Sequence, residues 1–110
     1  MDKQIFLKKE LSFTGYKEGL LAREKLSLNQ KDYDEYRYEF VIPEDTSLFD
    51  SSFYLGLLFN SIHELGWDKF VQKYRFNLDR LSDSQRMEIR AELDECERQA
   101  KNEHAGKGRY

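Results

Sequence analysis

Apolar residues alternate with polar ones from the start of the chain. Ile5, Leu7, Leu11 and Phe13 recur through residues 4–13, with Lys8-Lys9-Glu10 between them, and this pattern predicts a strand. Thr14-Gly15 reads as a turn. Residues 19–28 carry Leu20, Leu21, Ala22, Leu26 and Leu28, which predicts a short helix with one apolar side, and residues 29–35 read as a polar connection. In residues 36–42, Tyr36, Tyr38, Phe40 and Ile42 share one face of a strand while Arg37, Glu39 and Val41 share the other. Pro43 ends that strand because it cannot donate to a sheet ladder, and residues 44–49 read as a loop.

Asp50-Ser51-Ser52 supplies side-chain oxygens suited to the free N–H groups of a first helical turn. The predicted helix runs from there to about Leu65 and is apolar on almost every side, so it is expected to be buried, with Gly66 as its C-terminal cap. Trp67, Phe70, Val71 and Tyr74 repeat at helical spacing and predict a second, core-facing short helix. A short strand follows through Phe76 and Leu78. Ser82-Asp83-Ser84-Gln85 fits a capping box ahead of a helix whose only apolar stripe is Ile89, Leu93, Cys96 and Ala100, the mark of a surface helix. Residues 1–102 are therefore expected to form a single α/β domain, a small mixed sheet of about three to four strands packed by helices, with residues 103–110 as a flexible tail.

Composition narrows the function classes. A chain of 110 residues suits one domain, and 15% aromatic residues argue for a packed interior. Its 21 acidic and 18 basic residues are interspersed, with a net charge of -3 and no basic stripe, so nucleic acid is not an expected partner. Cys96, alone with His63 and His104, supports neither an internal disulfide nor a standard zinc site; no metal or cofactor is expected, and a reducing compartment, the cytoplasm, fits best. The longest apolar-rich run, residues 53–59, is too short to cross a bilayer, and no signal peptide is read at the start.

No residue set reads as catalytic. His63 and Glu64 are adjacent on a predicted helix and so do not face each other, and no third member is visible. Ser52 lacks the Gly-x-Ser-x-Gly elbow of a hydrolase. Cys96 sits among Asp94, Glu95 and Glu97, the wrong surroundings for a reactive thiol. Gly15 and Gly19 lack the Gly-Lys-Ser/Thr ending of a phosphate loop. Glu18, Glu24 and Asp50 are the acids an enzymatic reading would reach for, and nothing in their spacing promotes them.

A strand at Tyr38-Glu39-Phe40-Val41-Ile42, a short loop, and Asp50-Ser51-Ser52 opening a buried helix together resemble the STAS domain, whose members include the anti-sigma factor antagonists of bacteria. The triplet Ser51-Ser52-Phe53, followed by Leu55-Gly56, is more similar to a STAS-like family of bacteria and phages that also has a Gly-containing helix upstream, as in Gly19-Leu20-Leu21-Ala22-Arg23-Glu24. The resemblance covers roughly residues 19–79, and Phe53 stands where the usual motif has glycine. It implies a STAS-like fold and a non-enzymatic regulatory module that binds another protein, a kinase-like ATPase or a regulator, as a monomer or homodimer. It implies Ser52, with Ser51 beside it, as phosphorylation candidates, and Asp50, Ser51, Ser52 and Phe53 as partner-contact candidates. A phosphate there would add about -1.5 to -2 of charge where a helix dipole favours an anion. The alternative for a small acidic chain is an antitoxin, immunity or phage-encoded inhibitor protein that blocks a partner.

Overall fold

The computed structural model describes residues 2–107. In chain order its elements are β1 (Asp2–Phe6), β2 (Ser12–Phe13), α1 (Tyr16–Lys25), α2 (Leu28–Lys31), β3 (Arg37–Val41), β4 (Leu48–Phe49), α3 (Ser51–Leu65), α4 (Trp67–Lys73), β5 (Tyr74–Asn77) and α5 (Asp83–Lys107). The fold is α/β: a parallel three-stranded sheet in the order β1-β3-β5, and a parallel pair of β2 with β4.

The strand expected over residues 4–13 is broken in the middle. Leu7 N–H still donates to Val41 C=O, at 3.4 Å, but Lys8-Lys9-Glu10 then leaves the ladder. The chain rejoins the same partner path further on, where Ser12 faces Leu48 and Phe13 faces Phe49. Partners Ile5 and Phe40 are 35 positions apart and partners Ser12 and Leu48 are 36 apart, so the β3–β4 path carries one extra residue. That path turns at Pro43 and at Asp45, which has φ 67. The turn is tied down by Thr46 Oγ1 donating to Pro43 C=O (2.7 Å) and Ser47 N–H donating to Leu11 C=O (2.8 Å). The stretch 44–49, expected as a loop, therefore contains β4.

One face of the three-stranded sheet is core: Ile5, Tyr38, Phe40 and Tyr74 are buried there. Parallel sheets usually have both faces covered. Here the second face, apart from buried Val41 and its exposed partner Phe6, carries a polar ladder. Gln4 Nε2 and Asn77 Nδ2 both donate to Glu39 Oε1, at 3.1 and 3.0 Å, and Asp2 pairs with Arg37 and Arg75. The bonds from Asn77 and Gln4 hold the Glu39 carboxyl below its ordinary pKa.

Helix α1 inverts the expected pattern. Leu20 and Leu21 are exposed, and the residues it buries are Gly19 and Arg23. Gly19 lies against Gly56 of α3. A Cβ on Gly19 would fall 2.3 Å from Phe53 C=O, and one on Gly56 would fall 2.2 Å from Tyr16 C=O. The two helices thus meet backbone to backbone, a contact that only glycine allows.

One turn further along, Arg23 is 4% exposed and its guanidinium makes four hydrogen bonds. It donates to Leu57 C=O (2.9 Å), Ser61 Oγ (2.8 Å), Asn29 Oδ1 (3.0 Å) and Asp32 Oδ2 (2.6 Å). Ser61 Oγ and Tyr74 Oη both donate to Asp32 Oδ1, each at 2.6 Å. This buried network anchors the polar connection expected over residues 29–35, which contains the buried Asp32; α2 starts at the buried Leu28, the last residue of the expected helix, and runs into that connection. Burying an ion pair is tolerable because each nitrogen of the guanidinium and each oxygen of the carboxylate has a hydrogen-bond partner.

Helix α3 is apolar nearly all round, as expected, burying Phe53, Tyr54, Leu57, Leu58 and Ile62, and it packs against both α1 and α5. Gly66, with φ 79, ends it. Of the next aromatic stripe Phe70 and Tyr74 are buried, Trp67 is half-buried and Val71 is exposed, because the helix stops at Lys73 and Tyr74 already belongs to β5. The capping box closes as the sequence predicts: Ser82 N–H donates to Gln85 Oε1 and Gln85 N–H to Ser82 Oγ. Ile89, Leu93, Cys96 and Ala100 all bury along α5. This helix continues through Lys107, so residues 103–107 are helical rather than tail; residues 108–110 lie outside the described residues.

The Gly19–Gly56 contact makes a direct prediction. Gly19→Ala and Gly56→Ala each force a methyl into opposing backbone and should each lower unfolding stability by about 2–3 kcal/mol. Urea denaturation measures this. A neutral result at both positions would contradict the close approach.

Candidate functional site

The start of α3 is built by three residues around the serines. Asp50 is extended (φ -91, ψ 163), and its Oδ1 accepts from Phe53 N–H at 2.8 Å, so Asp50 is the cap. Phe49, just before the cap, packs edge-on against Tyr54, with ring centroids 6.5 Å apart; this is a hydrophobic staple that fixes the chain's angle of entry. Phe53 closes a cluster with Phe13 and Phe49, at centroid distances of 5.3 Å to each.

These contacts sort the residues of the motif. Ser52 is exposed and Ser51 half-buried, and neither hydroxyl is engaged in a hydrogen bond among the described residues. Phe53, the fourth partner-contact candidate, is 4% exposed: its aromatic neighbours hold it in the core, beneath the surface that carries Ser52.

Beside this helix end lies a groove of about 360 Å³ between β4 and α5. Phe49 and Cys96 form its buried base, Leu48 and Ala91 are its exposed apolar walls, and Ser51 opens into it. Asp50, Glu92 and Glu95 line its rim, and no basic residue does. Glu92 Oε1 accepts from Phe49 N–H at 2.7 Å, which satisfies a backbone donor at the edge of the short strand pair. Glu95 is bonded by Arg98 and Gln99, which hold its carboxyl down at about 2. The Cys96 thiol is pushed up to about 12, by burial first and then by Asp50, Glu92, Glu97 and Glu95. The negative field of the groove therefore reaches its base.

The other sequence candidates are scattered. His63 is exposed on α3, with its ring 6.3 Å from that of His104 on α5. Glu24 is exposed, and Glu18 borders a separate groove of about 340 Å³ walled by Phe6, Leu21 and Leu26. Among the described residues no group of three or more His, Cys, Asp or Glu is placed to hold a metal ion, and no helix is long and apolar enough to cross a membrane. The acid-rimmed groove and the Arg23–Asp32 network were not foreseen. Ser61, a serine in the interior of an apolar helix, was the available signal for the network. The groove joins residues more than forty positions apart and leaves no local trace. Models of known protein families, curated proteins and solved structures give no match to this chain.

The Cys96 environment fixes two measurable outcomes. With its thiol at about 12, about one molecule in ten thousand is ionised near pH 8, so the folded protein should resist alkylation and react only when denatured. The fold favours the protonated thiol. Its contribution is therefore complete below the ordinary value of 9.0 and is lost as pH rises from there toward about 12. Burial raises Tyr38, Tyr54 and Tyr74 in the same direction, from 10.0. The urea midpoint should thus fall steadily between about pH 9 and pH 12. Rapid native labelling together with a flat alkaline midpoint would contradict this description of the groove base.

Proposed function

We propose that this chain is a STAS-like, non-enzymatic regulatory module of the cytoplasm that binds another protein through the amino end of α3. The observation that carries the reading is the division of labour at Asp50-Ser51-Ser52: Asp50 supplies the cap, which leaves the exposed Ser52 hydroxyl without a structural duty. A serine kept on the first turn of a helix and not used for capping suits a role outside the fold. The order β3, β4, α3, with a Gly-containing α1 against Gly56, supports the same family likeness.

The proposed mechanism is electrostatic. A phosphate on Ser52 would sit where the free first-turn N–H groups and the dipole of a fifteen-residue helix favour an anion. It would also stand one residue from Ser51, which opens into the groove rimmed by Asp50, Glu92 and Glu95. Adding about -1.5 to -2 of charge to a surface already acidic changes the sign balance a docked partner meets, and so switches its affinity. A kinase-like ATPase or a regulatory protein is the proposed partner, and the module acts as a monomer or homodimer.

Pull-down from the native cell with wild type, Ser52→Ala and Ser52→Asp tests this. Ser52→Ala should recover the same partner as wild type, and Ser52→Asp should change its recovery severalfold. Equal recovery with all three would end the switch reading.

A further inference from the structure

The acid-rimmed groove has a chemistry of its own. Two of its carboxylates are already fixed in place by a single backbone bond each: Asp50 Oδ1 by Phe53 N–H and Glu92 Oε1 by Phe49 N–H. Their second oxygens, Asp50 Oδ2 and Glu92 Oε2, enter no hydrogen bond among the described residues. Glu95 shares the same rim, but its carboxylate is already paired with Arg98 and bonded by Gln99. Between them, Leu48, at 41% exposure, and Ala91 offer an apolar trough to water.

This arrangement is pre-organised for one kind of occupant. Acceptors held at fixed positions cost little to order on binding. A planar guanidinium matches carboxylate oxygens with two donors at once, is more weakly hydrated than an ammonium, and carries an aliphatic stem able to lie along apolar surface. We infer that the groove between β4 and α5 receives an arginine side chain of the partner protein, with its stem on Leu48 and Ala91 and its guanidinium against Asp50 and Glu92. The inference rests on the protein-binding role proposed above and names what that partner presents. After burial, Asp50 and Glu92 are the next causes that raise the Cys96 thiol at the groove base.

Two blocked tetrapeptides test it: acetyl-Leu-Arg-Leu-Arg-amide and acetyl-Leu-Glu-Leu-Glu-amide, titrated into the full chain and followed by amide NMR shifts. The arginine peptide should move the signals of Leu48, Ser51, Ala91 and Glu95, and added salt should weaken the effect. The glutamate peptide should leave them in place. Asp50→Asn with Glu92→Gln keeps acceptors for Phe53 N–H and Phe49 N–H while removing two charges. It should weaken arginine-peptide binding about fivefold with the fold unchanged.

Equal shifts from both peptides, shifts confined to the Phe6–Leu26 groove, or undiminished binding by the double variant would each overturn the inference. So would groove signals that move with protein concentration alone, because a second copy would then be the occupant. The two readings can fail separately. If the Ser52 variants alter partner recovery while the double variant binds the peptide normally, the arginine site falls and the docking role stands. If the peptide binds as described and the Ser52 variants change nothing, the site stands and the switch falls.

Discussion

Where Gly19 meets Gly56, two helix backbones approach with no side chain between them. That contact sets the depth of the helical layer. It brings α1 close enough for Arg23 to reach Leu57 C=O and Ser61 on α3, and Arg23 in turn holds Asp32 and, through it, Tyr74 at the head of β5. A methyl at either glycine would push the helices apart and leave the guanidinium short of its partners. An unpaired buried charge costs several times what the satisfied network contributes. The small contact and the polar network therefore stand or fall together.

Everything proposed about the outer surface depends on α3 being held in that way. Its apolar sides are taken up by α1, α5 and the core, and it reaches solvent at Ser52 on the first turn and again at Asn60, His63 and Glu64. Asp50 caps that turn and Phe49 staples it, so the serines project from a rigid end rather than from a loop. The same Phe49 receives Glu92 from α5, which ties the groove's acidic rim to the end of the strand pair. The docking surface is thus assembled by elements that also complete the core.

Much of this could be read in advance from local pattern. Strand β3, the Asp50 cap, the apolar length of α3, the Gly66 stop, the Ser82–Gln85 box and the buried stripe of α5 all leave periodic or positional marks. Of the pair β2–β4, β2 fell within the strand expected over residues 4–13, while β4 left no mark, because two residues are too few to show alternation and their pairing depends on a register shift elsewhere in the chain. Helix α1 misled, since its inner face is a glycine and an arginine while its leucines point outward. Such a face makes sense only once Gly56 and Ser61 are known to lie opposite. For the candidate site, Ser51 and Ser52 were legible as a helix start. The burial of Phe53 and the acids of α5 needed the tertiary arrangement.

The most direct measurement is the proton–proton contact between the two glycines. A carbon-edited NOESY spectrum should show a strong cross-peak between the Hα protons of Gly19 and Gly56, because each Cα lies about 3 Å from the position a Cβ would take on the other. Absence of that cross-peak in the assigned spectrum of the folded protein would contradict the helix crossing, and with it the placement of the α3 amino end at the surface.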